Sequence, residues 1–107
     1  IASHGGGTLP YLVGRFEKGD EVEIPSRRQM KCKPTDYLRH IYYDTITYNP
    51  GALQYLISVV GPSQVMFGTD WPHQVHDTQG AFANTALLPE AQMLAIRSGN
   101  ALKVFGF

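Results

Sequence analysis

At 107 residues, with 43% hydrophobic and 17% charged side chains, the chain suits one folded domain and excludes disorder. Nine basic side chains balance nine acidic ones, so the net charge of zero gives no electrostatic reason for a nucleic acid or an anionic membrane surface as partner. The single Cys32 excludes an internal disulfide and points to an intracellular, cytoplasmic setting, and apolar runs such as YLISVV (55–60) fall short of the roughly 18 residues that a membrane span takes.

In chain order, residues 1–3 read as the end of a strand. Thr8 as a cap, Pro10 in the first turn, and Leu9, Leu12, Val13 and Phe16 at helical spacing predict a helix over 9–18, with Gly19 as its stop. Residues 20–36 are polar and carry Pro25 and Pro34, which predicts an excursion with a short helix after Pro34. The β-branched and aromatic HIYYDT (40–45) predicts a strand. Asn49-Pro50 then opens a helix with Leu53, Leu56, Ile57 and Val60 as its apolar stripe and Gly61 as its stop. QVMFGTD (64–70) is a second short apolar strand, and 71–88 reads as a long loop. Pro89 opens another helix through Met93, Leu94 and Ile96, ending near Ser98-Gly99, and Asn100 caps a last short helix reaching Val104.

Strands separated by helices form parallel βα units, whose functional residues follow the C-terminal ends of the strands. His4, then Asp44 and Thr45, then Thr69, Asp70 and Trp71 occupy those places, so one rim carries a histidine and two carboxylates. Asp70 there either binds a divalent metal and moves protons, or caps its loop by accepting from nearby amides. His4 is either a proton carrier or a hydrogen-bonded loop residue. Gly5, Gly6 and Gly7 permit positive φ and the close approach of a ligand to the backbone. HQVH (73–76) has the spacing of a metal-binding pair but reads as loop.

HGGGTLPYLVGR (4–15), YYDT (42–45), VMFGTDWP (65–72) and the terminal IRSGNALKVFGF (96–107) occur in this order and at this spacing. Together they resemble the C-terminal part of amidohydrolase-related metal enzymes of the aminocarboxymuconate-semialdehyde decarboxylase type, a group that includes resorcylate-type decarboxylases and some lactone hydrolases. The resemblance covers nearly the whole chain except 20–33 and 74–88. It implies an α/β fold in which residues 1–107 are the C-terminal part of one amidohydrolase-like domain: the end of strand six through unit eight of a TIM-like (β/α)8 barrel, incomplete as it stands.

On that resemblance His4 acts on a metal-bound water, Asp70 is a metal ligand and proton carrier, and Arg15 reaches a substrate carboxylate. Trp71 falls where an aromatic lines the pocket, with packing as the other reading; Asp44 reads as structural. The implied cofactor is a divalent metal, zinc with manganese as the alternative. The implied partners are a small-molecule carboxylate substrate, and either further copies of the chain or the remaining barrel portion. The family's His-x-His pair of strand one is absent from these residues, so the chain alone is expected to be inactive. Decarboxylation and metal-dependent hydrolysis of a C–O or C–N bond both fit, and an inactive fragment with a structural or oligomeric role is the reading from another class. HGGG is also an oxyanion-hole motif of lipases, but no Gly-x-Ser-x-Gly nucleophile elbow accompanies it.

Overall fold

Three short stretches of chain lie side by side and parallel. In the computed structural model, which describes residues 1–22, 25 and 29–107, Ala2 bridges Tyr43, and strand β1 (Tyr43–Asp44) pairs with β2 (Val65–Met66) in the register Tyr43 to Val65 and Asp44 to Met66. Parallel neighbours need a crossover connection, and each is made by helices. Helices α1 (Val13–Glu21) and α2 (Pro34–Leu38) lie between Ala2 and β1, and α3 (Pro50–Val60) joins β1 to β2. The expected βα alternation is therefore present, with strands much shorter than the apolar runs that encode them.

Helix α3 follows its sequence signals closely. The Asn49 side chain accepts from the Ala52 N–H at 3.0 Å, Pro50 occupies the first turn, and Gly61 closes the helix at φ 89°, its N–H donating to Ile57 O. Leu53, Leu56, Ile57 and Val60 are all buried, as is Val59. They pack with Leu38 of α2, Tyr43, Val65 and Ile96 to form the core. Tyr43 is fully buried, and its hydroxyl donates to Leu38 O at 2.9 Å, which binds α2 to the middle strand.

Four expectations need correction. Residues 9–12 form turns, so that α1 begins only at Val13; Gly19 lies inside the helix, because a glycine costs helix stability without forbidding it, and the Lys18–Glu21 ion pair supports the last turn. The segment 71–88 contains helix α4 (Thr78–Ala86), capped by Asp77, which accepts from the Gly80 N–H at 2.7 Å. Only Ala81 and Thr85 of α4 are buried, too few to print an apolar stripe on its sequence.

Asn100 is not a cap. Helix α5 (Glu90–Leu94), a π turn over Ala95–Gly99 and helix α6 (Asn100–Phe105) run on without a break, and Asn100 has helical φ and ψ of −66° and −43°. Its buried amide donates to Pro62 O at 2.8 Å and Val65 O at 2.7 Å, fastening the final helix to the entry of β2. Ile96, fully buried on the π turn, accepts from the Phe67 N–H at 2.9 Å and holds the exit of the same strand. The expected excursion over 20–36 falls partly outside the described residues. Among the described residues no helix is long and apolar enough to cross a membrane.

Two outcomes follow from these contacts. Asn100→Ala removes the donor from one buried and one part-buried carbonyl and is expected to cost on the order of 2–3 kcal/mol in urea denaturation; Asn100→Asp, which sets a carboxylate against both oxygens, is expected to cost more. Burial holds the Tyr43 phenol above its ordinary value of 10.0. The folded state therefore keeps the proton more tightly than the unfolded chain, and the stability this contributes is complete below pH 10.0 and lost as pH rises through the folded value. Tyr43→Phe is expected to cost about 1 kcal/mol near neutral pH and to remove that part of the alkaline loss, as read by denaturation at a series of pH values.

Candidate functional site

The site is assembled from the exits of the three parallel stretches. Asp44 ends β1 and is buried, and its two carboxylate oxygens accept three backbone N–H groups. Oδ2 takes His4 N–H at 3.0 Å, and Oδ1 takes Gly5 N–H at 2.9 Å and Ile46 N–H at 3.0 Å. A buried charge is stable only when hydrogen-bonded, and this one is satisfied by folding the start of the chain over the end of the middle strand. The structural reading of Asp44 thus has a geometry. Its neighbour Thr45 ties the other side: the Thr45 hydroxyl donates to Gly68 O at 2.9 Å and accepts from Gly68 N–H at 3.0 Å.

The glycines of HGGG take the positive φ expected of them, at 61°, 79° and 59°, and two of them are also required by packing. A Cβ on Gly5 would lie 2.7 Å from the Thr47 methyl, and one on Gly6 would lie 2.6 Å from the Tyr43 ring, with both backbones at positive φ. A side chain at Gly5 or Gly6 would therefore meet the protein itself, whereas at Gly7 it would meet nothing. Gly5 and Gly7 nonetheless present backbone to a cleft of about 310 Å³ beside His4, lined among others by Tyr11, Ile46, Thr47 and Tyr55.

These ties bring His4 and Asp70 together across 66 positions of sequence. His4 Nε2 stands 3.6 Å from Asp70 Oδ1, with the His4 side chain 64% and the Asp70 side chain 25% exposed. The imidazole and the carboxylate thus face each other just beyond hydrogen-bond length, and both are open to a bound molecule. Tyr48, which sequence reasoning did not single out, reaches the same carboxylate: its hydroxyl donates to Asp70 Oδ2 at 3.3 Å. Desolvation, followed by the Asp70 charge and the hydrogen bond to it, raises the Tyr48 phenol above its ordinary value, so it stays a donor through the neutral range. The signal for Tyr48 is its place between the strand exit and the Asn49 cap, a segment that must lie on the rim.

His4, Tyr48 and Asp70 share one backbone feature. Among the described residues they are the non-glycine residues with positive φ, at 55°, 53° and 63°. Left-handed backbone costs a residue with a Cβ about 1–2 kcal/mol, so the surrounding contacts must hold these three in place.

The remaining expected residues are placed as follows. Trp71 is 71% exposed, with a cis peptide bond to Pro72, and its N–H donates to Thr69 Oγ1. Arg15 is exposed on α1, and its guanidinium has no hydrogen bond or ion pair among the described residues. HQVH forms turns before α4: His76 Nδ1 lies 2.7 Å from the backbone oxygen of His73, and His73 Nδ1 accepts from Val75 N–H while standing 4.0 Å from Asp70 Oδ2. Among the described residues no group of three or more His, Cys, Asp or Glu is placed to hold a metal ion. A catalytic metal usually takes three protein ligands, so the residues here do not make a metal site by themselves.

A family model described as amidohydrolase matches residues 1–107. The chain is 36% identical over 113 residues to a 6-methylsalicylic acid decarboxylase of Penicillium expansum, covering 98% of this chain and 34% of that protein. It is 30% identical over 71 residues to a 2-amino-3-carboxymuconate-6-semialdehyde decarboxylase of Dictyostelium discoideum, covering 65% of this chain and 20% of that protein. A solved dihydroxybenzoic acid decarboxylase from Polaromonas sp., with bound manganese and the inhibitor 2-nitroresorcinol, matches with a TM-score of 0.77 and 26% identity, covering 97% of this chain and 32% of that one. The chain thus spans about a third of the length of proteins that it matches end to end.

Asp44→Asn tests the frame of this site. The variant turns one oxygen into an amide that faces backbone N–H donors, and is expected to destabilise the protein by about 1–3 kcal/mol and to loosen the His4–Gly6 turn. Faster amide hydrogen exchange at His4 and Gly5 would report that loosening.

Proposed function

This chain belongs to the amidohydrolase family, and from that premise we propose that it furnishes one part of the catalytic rim of a metal-dependent decarboxylase acting on a small carboxylated aromatic or enoic substrate. The part is the end of strand six through unit eight of a TIM-like barrel. One observation carries this reading: His4 Nε2 and Asp70 Oδ1 meet at 3.6 Å at the exits of parallel strands, partly exposed to whatever lies above the rim. The three relatives named above are decarboxylases, which favours loss of CO2 over hydrolysis.

In this reading the departing CO2 leaves its electron pair on carbon, and that carbon takes up a proton. His4 delivers the proton, and Asp70, beside its Nε2, stabilises the imidazolium that precedes the transfer. Arg15, exposed and without a partner among the described residues, pairs with a carboxylate of the substrate through its planar fork. Trp71, standing in solvent beside Asp70, covers one side of the substrate.

The manganese of the solved relative and the carboxylate of Asp70 support a divalent cation, manganese or zinc, with Asp70 giving one ligand and residues beyond those described giving the others. Such a cation, when bound, supplies positive charge to the substrate's oxygens. The rest of the barrel, from the same polypeptide or from associated copies, completes the site.

The test is CO2 release from hydroxybenzoate-type carboxylates by an enzyme carrying these residues in a complete barrel, with matched esters and lactones as the hydrolytic comparison. The 107-residue chain alone is expected to be inert. In the complete enzyme His4→Asn is expected to lower kcat by ~10²–10⁴ while keeping most of the metal, and Asp70→Asn to lose both metal and activity. Arg15→Lys is expected to raise KM for the carboxylated substrate, by a loss on the order of 1.5–3 kcal/mol, with metal content unchanged. Ester or lactone turnover without CO2 release would select hydrolysis instead.

A further inference from the structure

Two of the three left-handed residues at the rim have a part in the reaction proposed above, and the third does not. His4 delivers the proton and Asp70 stabilises the imidazolium; Tyr48 has no role in it. Yet the backbone around Tyr48 is built to deliver one atom. Thr47 N–H donates to Thr45 O at 2.8 Å, the Thr47 hydroxyl donates to Asn49 O, and Asn49 caps α3. Between these fixed points Tyr48 turns to φ 53° and its hydroxyl spans 22 positions of sequence to donate to Asp70 Oδ2 at 3.3 Å. A glycine would take this turn without strain, so the side chain is what the position supplies.

The rival for that oxygen is His73, whose Nδ1 lies 4.0 Å from Oδ2. That is beyond hydrogen-bond length, and Nδ1 is already accepting from Val75 N–H. Tyr48 is thus the side-chain hydrogen-bond donor to Asp70 among the described residues. The two carboxylate oxygens are divided: Oδ2 to the phenol, Oδ1 to His4.

We infer that Tyr48 is a positioning residue, whose hydroxyl fixes the plane of the Asp70 carboxylate so that Oδ1 is the oxygen turned toward His4. The inference rests on the catalytic reading of His4 and Asp70. Without the phenol the orientation of the carboxylate is left to the cation and to His4, and its terminal torsion, which has little intrinsic preference, is less closely fixed. The His4–Asp70 contact then becomes one of several, and proton delivery slows while substrate binding does not change. A residue that merely closed its loop would alter stability and leave Asp70 as it was.

Tyr48→Phe removes one oxygen atom and keeps the ring. Tyr48→Asn is the second variant, because asparagine accepts positive φ but is too short to reach Asp70. Two readouts are taken on the complete enzyme: the carbon-13 resonance of the Asp70 carboxyl in labelled, metal-free protein, and the steady-state kinetics of decarboxylation. In both variants the resonance is expected to shift, and kcat to fall by about 10- to 100-fold, the usual effect of removing a partner of a functional carboxylate, with KM unchanged. An unmoved resonance, an unchanged kcat, or a loss confined to KM would each overturn the assignment. Should the parent enzyme release no CO2 from any carboxylated substrate, the functional proposal fails, and the resonance alone then decides whether Tyr48 holds Asp70.

Discussion

The Asp44 carboxylate is the constraint on which the rim depends. It sits at the end of the middle strand, shut away from water, where an unpaired charge would not be tolerated. The N–H groups of His4, Gly5 and Ile46 satisfy it, and presenting all three fixes the path of the chain there. That path turns the HGG segment tightly over Tyr43 and Thr47, which is why Gly5 and Gly6 have no space for a Cβ. The histidine is therefore placed by its backbone, through its neighbours' contacts, and its imidazole is left largely exposed.

From Asp44 the constraint passes to the third strand through Thr45 and Gly68, whose paired hydrogen bonds set the exit of β2 two residues before Asp70. The opposite side of β2 is held by the last helices. Asn100 grips the entry of the strand and Ile96 the exit, while Phe67 packs against Phe82 with the rings tilted at 43° and their centroids 4.7 Å apart. Arg97 lies 5.0 Å above Phe82 and donates to Phe82 O and Thr85 Oγ1, so α4 is fastened as well. The loop carrying Asp70 and His73 thus starts and ends on fixed points. This rigidity is what allows three residues to stay in left-handed backbone at the place where chemistry is proposed.

The shared parallel fold and the amidohydrolase match give the rim its chemical meaning, and the geometry narrows it. The His4 imidazole, the Asp70 carboxylate and the Tyr48 phenol converge, with His73 Nδ1 4.0 Å from the carboxylate; the tryptophan and the arginine stand exposed, and the Arg15 guanidinium has no partner among the described residues. A cation needs more ligands than these residues offer, in keeping with a chain that spans a third of its relatives.

The sequence by itself determined the elements whose code is local. Asn49, Pro50, the Leu53–Val60 stripe and Gly61 specify α3 through caps and spacing that require no distant partner, and the alternation of β-rich runs with helices specifies parallel βα units and so one rim for His4, Asp44 and Asp70. The four motifs also carried the family. What only the tertiary structure decided rests on contacts between residues far apart in the chain. Helix α4 turns two buried side chains inward, too few for a periodic signal. Asn100 has the sequence of a cap, yet its amide meets carbonyls 35 and 38 positions away. Gly5 and Gly6 answer to the Thr47 and Tyr43 side chains, and Tyr48 to Asp70. A cap or a stripe acts within a few residues and can be read from them; a hydrogen bond across the rim is fixed only once packing has brought its two ends together.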